Sequence, residues 1–244
     1  MKRTIMQLLQ TETLCEKVYK STFRGDFSGI TAPGQFVNVA IDGLYLRRPI
    51  SVCDLSGEEL TLVYKVVGKG TAALSEAEAG RRFDVLTGLG NGYDLSRSGE
   101  NPLLIGGGVG VPPLYYLTKK LLAEGKRPTV ALGFNRKEEV FFLREFEALR
   151  IPVLLATVDG SQGEKGFVTN ILPEGYSYFY ACGPEPMLKA VYGATTTEGE
   201  LSFEERMGCG FGACMGCSCK TITGYKRICR EGPVLEKEEI LWDV

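Results

Sequence analysis

Residues 105–121 read IGGGVGVPPLYYLTKKL. An apolar run ends at Ile105, glycines follow at 106, 107, 108 and 110, and a helix opens on Pro112 and Pro113. Proline suits a first helical turn, where its missing N–H would have no intrahelical partner. Free amides at such a start, approached closely over glycine, favour a pyrophosphate. The spacing is not G-x-G-x-x-G, because position 111 is valine, so from this stretch alone a tight turn without a ligand stays open.

Toward the C-terminus the turn belongs to an alternation of strands and helices. PLLIG (102–106) and a helix from about Pro112 to Ala123 are followed by PTVALGF (128–134) and a helix from about Glu138 to Leu149. PVLLATV (152–158) and YSYFYACG (176–183) complete the series. This rhythm predicts a parallel sheet with helices on its faces. In YACGPEPML (180–188) a strand again runs into glycine and a proline-started helix, placing Cys182 and Gly183 on the edge where open α/β sheets bind ligands. A lone cysteine there is otherwise a small buried apolar residue.

Toward the N-terminus the pattern is different. KVYKSTF (17–23), QFVNVAI (35–41), PISVCDL (49–55) and LTLVYKVV (60–67) are short β-type runs separated by turn signals, and they predict a small antiparallel barrel. TGLGNGYDLSRSGENP (87–102) reads as the boundary. Past about residue 195 the alternation breaks into a cysteine-rich tail, giving three expected domains: 1–98, 99–195 and 196–244.

The composition narrows the function classes. The 244 residues are 44% apolar and 24% charged, as in globular proteins, while 31 glycines exceed the usual share of about 7% and suggest backbone brought close to ligands. A net charge of −2 with interspersed signs leaves no footprint for nucleic acid or an anionic membrane. The N-terminal run MKRTIMQLLQTETL is broken by Gln7, Gln10 and Thr11 before signal-peptide length, and no later stretch is long enough to span a bilayer. A cytoplasmic protein is therefore expected. Histidine is absent, which excludes a histidine base, a histidine-ligated zinc and a Rieske cluster.

Five of the eight cysteines lie in CGFGACMGCSCKTITGYKRIC (209–229). Cys209, Cys214, Cys217 and Cys229 follow the C-x4-C-x2-C…C spacing of plant-type [2Fe-2S] sites. Gly208, Gly210, Gly212 and Gly216 let a loop turn sharply and aim N–H groups at sulfur. Cys219, on a predicted strand two residues beyond Cys217, stays open as a substitute ligand. Cys229 is preferred because a ligand returning from a separate strand closes the cage. Four-cysteine zinc and reduced structural thiols are the alternatives, although zinc ribbons usually carry two C-x2-C pairs.

LRRPISVCD (46–54) puts the forked guanidinium of Arg48 and the hydroxyl of Ser51 on either side of a proline turn. RPIS in a barrel, VGKGT (67–71), GGGVGVPP and ACGPEPM, in this order, resemble the ferredoxin-NAD(P) reductase superfamily from the start of the chain to about residue 195. The resemblance implies FAD held by Arg48, Pro49, Ile50 and Ser51, with Arg48 on the pyrophosphate and Ser51 at the isoalloxazine edge. It further implies Tyr64 and Lys65 flanking the flavin, and Gly70 and Thr71 completing the phosphate site. Gly106, Gly107, Gly108, Gly110, Cys182 and Gly183 would hold the nicotinamide nucleotide.

With SFEERMGCGFGACMGC (202–217) and CREGPVL (229–235), essentially the whole chain, VDGSQGEKGFVT (158–169) included, resembles the electron-transfer subunits of the dihydroorotate dehydrogenase B type. That implies FAD, a [2Fe-2S] cluster, NAD as acceptor, and a separate FMN-containing catalytic subunit in a heterotetramer of two plus two. No catalytic acid or base is assigned to this chain. The rival expectations are the small subunit of an NADPH-dependent ferredoxin or sulfide oxidoreductase, and a redox sensor without turnover. GFNRKEE (133–139) has Asn135 and Arg136 after the second strand, not the acid that reads a ribose hydroxyl, so NAD rests on the family resemblance.

Overall fold

The computed structural model of the chain describes residues 1–242. The first third is a barrel of β1 (Lys2–Cys15), β2 (Val18–Gly25), β3 (Phe36–Val39), β4 (Arg48–Ser56), β5 (Glu59–Lys65) and, after a short helix α1 (Lys69–Ser75), β6 (Arg82–Leu89). The order is β1-β2-β5-β4-β3-β6, closed because β6 pairs with both β1 and β3. Alternate side chains turn inward: Met6, Leu8, Val37, Val39, Ile50, Val52, Leu60, Leu62, Phe83 and Val85 form one core. The first and last strands are not among the four runs that the sequence pattern marks. β1 buries only Met6 and Leu8, and beyond Leu8 it continues with β2 as a ribbon tied by Thr11–Ser21 (2.9 Å) and Glu12–Lys20 (3.2 Å), whose far end, Leu14, Cys15 and Val18, packs against the core of the large sheet.

The chain then enters β7 (Leu103–Gly107), α2 (Val111–Ala123), β8 (Thr129–Phe134), α3 (Leu143–Ala148), β9 (Val153–Thr157), β10 (Glu164–Lys165), β11 (Phe179–Cys182), α4 (Glu185–Ala194) and β12 (Gly199–Ser202). The tail adds the hairpin β13 (Ser218–Thr221) and β14 (Gly224–Arg227), then β15 (Val234–Glu236). The large sheet runs β10-β9-β8-β7-β11-β12-β15 and is parallel except for β15. Strands β12 and β15, both from beyond residue 195, thus join the nucleotide-type sheet. From β7 the chain winds outward through β8 and β9 and then returns to the other side as β11. The crevice between β7 and β11 is therefore the switch point at which sheets of this kind bind ligands.

The helix expected from Glu138 to Leu149 is interrupted. A single 3-10 turn, Lys137–Glu139, precedes α3, and Phe142 between them has a left-handed φ of 64°. Phe141 and Phe142 are both buried, packed edge-on against Phe134 and Tyr115 respectively, and the left-handed backbone at Phe142 lies outside the helical range, so no continuous helix passes through it.

The expected linker is a joint. Asn91 Nδ2 donates to the Val234 carbonyl (2.7 Å) and its Oδ1 accepts from Val234 N (3.2 Å), while the buried Tyr93 donates from its hydroxyl to the Ala181 carbonyl (3.3 Å). On the other side Lys119 of α2 pairs with Asp54 of β4 at 2.7 Å. Among the described residues no helix is long and apolar enough to cross a membrane.

Candidate functional site

Arg48 opens β4 with its guanidinium against α1: a Cβ built on Gly70 would lie 2.0 Å from Arg48 Nε. Only glycine permits this approach. Arg48 also donates to the carbonyls of Leu46 and Arg47, the latter at 3.3 Å, and its side chain is half-buried. Thr71 Oγ1 accepts from Val67 N (3.0 Å) and donates to the Gly68 carbonyl (3.2 Å), which shapes the turn entering α1. Along β4, Ile50 points into the barrel core while Pro49 is exposed and Ser51 partly so; these two stand opposite Asn38 and Phe36 of β3. Tyr64 is buried, its hydroxyl in a hydrogen bond with Ser21 (3.0 Å) and its ring stacked on Tyr19 at 6.3 Å; burial pushes its pKa up to about 12. Lys65, next to it, is exposed. The guanidinium over a bare Cα, with the Thr71 turn beside it, fits a flavin pyrophosphate.

At the switch point the two glycine turns press backbone against backbone. A Cβ on Gly110 would lie 2.3 Å from the Cys182 carbonyl oxygen, one on Gly107 2.3 Å from Met187 Sδ, and one on Gly183 2.5 Å from Met187 Cε. Gly106 lies against Val111 and Leu114 of α2. Gly108, with φ +52°, faces open space. A cavity of about 450 Å³ opens here, lined among others by Gly107, Gly108, Phe134, Asn135, Glu139 and Pro184. Its place beyond the carboxyl ends of parallel strands, over the glycine turn after β7 and the start of α4, fits a dinucleotide. Cys182 is buried beside this edge, and burial pushes its thiol up to about 12, with a Ser202 hydrogen bond acting the other way. It is held neutral.

The cysteine loop packs on the opposite flank. Cys209 Sγ accepts from the amides of Ala213 (3.2 Å) and Cys214 (3.4 Å), and the Cys209 and Cys214 thiols are within hydrogen-bond reach of each other. Cys217 Sγ accepts from Cys229 N (3.4 Å), and the thiols of this second pair also meet. Burial acts to raise the Cys209 thiol, yet the amides of Phe211, Cys214 and Ala213 outweigh it and bring it down to about 6. Among the described residues no three cysteine or acidic side chains converge as around a single ion. Two thiol pairs, with amides aimed at sulfur, fit a dinuclear iron–sulfur cluster, in which each iron takes two thiolates. Cys219 lies on β13 opposite Lys226, half-buried against the neighbouring core. Cys217 and Cys229 are buried, whereas Cys214 is exposed at the rim with Phe211 and Met215.

One residue that reads in the sequence as a plain strand position joins the loop to the barrel. Asn38 is 1% exposed, and its Nδ2 donates to the Cys209 carbonyl at 3.2 Å. Gly210, with φ +77°, makes room for it: a Cβ there would lie 2.3 Å from Asn38 Nδ2. Glu139 and Met187 are also site residues that sequence reasoning misses, because one looks like a first-turn helix acid and the other like a core residue.

A barrel with an arginine-over-glycine phosphate cradle, joined to a parallel sheet with a glycine-lined switch point, defines a flavin- and nicotinamide-nucleotide-binding reductase. The comparisons with known proteins narrow that class. Residues 204–241 match the iron-sulfur cluster binding domain of dihydroorotate dehydrogenase B. The dihydroorotate dehydrogenase B (NAD(+)) electron transfer subunit of Geobacillus sp. (strain WCH70) is 43% identical over 256 residues, covering 99% of each chain. That of Lysinibacillus sphaericus (strain C3-41) is 43% identical over 248 residues, covering 95% of this chain and 96% of that one. Among solved structures, a chain of the NADH-dependent reduced ferredoxin-NADP oxidoreductase, described for flavin-based electron bifurcation, superposes with a TM-score of 0.88 at 30% identity. It covers 98% of this chain and 90% of that chain. The chain belongs to the family of dihydroorotate dehydrogenase B electron-transfer subunits.

Proposed function

We propose that this chain links a partner subunit that oxidises dihydroorotate to NAD+ in pyrimidine biosynthesis. When bound, a [2Fe-2S] cluster and FAD supply the relay from the partner's FMN, the cluster moving single electrons and the flavin collecting two for hydride transfer. The observation that carries the reading is the contact between Asn38 and the Cys209 carbonyl, which fixes the thiol loop against the strand paired with Pro49–Ser51. Both donor sets thereby sit on one side of the barrel.

In this assignment Cys209, Cys214, Cys217 and Cys229 hold the iron. Arg48, Gly70 and Thr71 hold the flavin phosphates, Pro49, Ile50, Ser51, Tyr64 and Lys65 line the ring, and Gly106, Gly107, Gly108, Gly110, Cys182 and Gly183 receive the nicotinamide nucleotide. The three expected domains, 1–98, 99–195 and 196–244, would correspond to the three groups. The neutral Cys182 thiol stays uncharged beside a nicotinamide. The FMN subunit would dock on the rim carrying Phe211, Cys214 and Met215, in a heterotetramer of two plus two. A cytoplasmic setting keeps the cysteines as thiols available to iron.

The test compares NADH:dye and dihydroorotate:NAD+ activities with and without the partner. The chain alone, loaded with FAD, is expected to reduce dyes with NADH and to leave dihydroorotate untouched, since carbon oxidation also requires a positioned base. Dihydroorotate oxidation by this chain alone, or no NADH:dye activity in the flavin-loaded sample, overturns the proposal.

A further inference from the structure

The discrimination between the two nicotinamide nucleotides is unassigned in the sequence, where Arg136 after β8 is the residue a 2′-phosphate would seek. In the structure this arginine is already engaged. Arg136 Nε donates to Glu139 Oε1 at 3.1 Å, and its terminal nitrogen pairs with Glu16 Oε2 across on the barrel at 3.6 Å. Arg136 is not among the residues lining the nucleotide cavity, whereas Asn135 and Glu139 are.

The 3-10 turn at Lys137–Glu139 folds the acid back to the end of β8. The Glu139 amide donates to the Arg136 carbonyl (3.0 Å), the Lys137 amide donates to Ser161 Oγ (2.8 Å), and Asn135 Nδ2 donates to Glu139 Oε2 (2.8 Å). Each carboxylate oxygen is thus anchored once. A carboxylate has about four acceptor positions, so two remain for a ligand in the cavity that Glu139 lines. β8 neighbours β7 and its glycine turn, and the end of the second strand is where an acid meets a ribose hydroxyl in folds of this kind.

We infer that Glu139 is the specificity-determining residue of this site, accepting the adenosine ribose hydroxyls of NAD and excluding the 2′-phosphate of NADP. The inference rests on reading this cavity as the nicotinamide-nucleotide site. Two effects act together. The carboxylate repels a dianionic phosphate at close range, and it neutralises, with Glu16, the one arginine that would otherwise attract that phosphate.

ADP-ribose and 2′-phospho-ADP-ribose test this on the oxidised holoprotein by titration calorimetry, because neither accepts a hydride. The wild-type chain is expected to favour ADP-ribose. Glu139→Gln removes the charge and leaves Arg136 only its exposed pair with Glu16, so the preference falls by at least about tenfold, the scale of one close charge contact, mainly through tighter binding of the phosphorylated probe. Glu139→Ala is expected to move the ratio in the same direction. Adding Arg136→Ala to Glu139→Gln cancels the gain, and Glu138→Gln, an exposed neighbour paired with Lys137, leaves the ratio unchanged. Flavin and cluster absorbance confirm that each variant is folded. A wild-type ratio retained in both Glu139 variants overturns this inference while leaving the nucleotide site standing. Failure of the wild type to bind either probe overturns the site itself, and the inference with it.

Discussion

Replacing Gly70 with alanine separates flavin binding from fold stability, because the two effects have opposite signs. The added Cβ would lie 2.0 Å from Arg48 Nε and 2.7 Å from its Cζ, and ordinary contact begins near about 3.4 Å. The guanidinium must therefore withdraw by roughly 1.5 Å, beyond the tolerance of a charge-assisted hydrogen bond. The atoms that collide are the far end of a flexible side chain, so the backbone has no need to move. Within α1 the substitution gains helix propensity, about 0.5–1 kcal/mol in favour of the folded chain. Losing the phosphate contact costs about 1.5–3 kcal/mol of FAD affinity, or roughly 10- to 150-fold in Kd. Thermal melting of the apoprotein and FAD titration by fluorescence quenching measure the two quantities separately. The expected result is an unchanged or higher melting temperature with weakened flavin binding, matched in affinity loss by Arg48→Ala. Wild-type FAD affinity in both variants would refute the assignment of Arg48 to the phosphate.

Cys229→Ser is expected to abolish the cluster and Cys219→Ser to retain it, read as iron and acid-labile sulfide per chain; a normal cluster in the Cys229 variant overturns the ligand set. Glu200 is 5% exposed, and burial raises its carboxyl from an ordinary 4.5 to about 8, against the Asp94 amide donated to it at 3.0 Å. The folded state therefore holds the extra proton between those values, so stability falls as pH rises from about 4.5 to 8, by at most about 5 kcal/mol. Denaturant midpoints across this range should show a slope that Glu200→Gln flattens, and an identical slope in the variant refutes the attribution.

The parts legible in the sequence are those in which one residue type is forced by backbone geometry. Gly110 sits where a Cβ would collide with the facing turn, and Gly107 and Gly183 where it would collide with Met187 of α4, so these glycines, and the prolines that start the helices beside them, mark the crevice in the sequence itself. The C-x4-C-x2-C spacing is legible for the same reason, because a short loop that holds a cluster would have to turn sharply at its glycines. What escapes the sequence depends on partners distant along the chain. The three residues of β15 become a strand by pairing with β12, more than thirty positions earlier, and no local period announces that. The ribbon half of β1 buries little and shows no alternation to count. Glu139 is hidden by the expectation of a continuous helix, which the left-handed backbone at Phe142 breaks.

The least legible residue is the one on which the arrangement of the site most depends. Among the described residues the buried Asn38 Oδ1 finds no hydrogen-bond partner, a condition that costs about 1–3 kcal/mol and that an apolar side chain of similar shape would avoid. The chain keeps the amide where Nδ2 can hold the Cys209 carbonyl and where Gly210, left-handed and without a side chain, closes over it. A second set of ties acts from the other side, since Asn91 binds the backbone of Val234 at the head of β15 and Gly90 leaves 2.5 Å between its absent Cβ and Pro233. Barrel, sheet and cysteine loop are thus joined at two separate points by contacts to backbone atoms, which do not rearrange as side chains do. With the thiol loop fixed at both its barrel end and its sheet end, its distance from the Pro49–Ser51 strand follows from the fold itself, and a relay of single electrons requires that fixed separation.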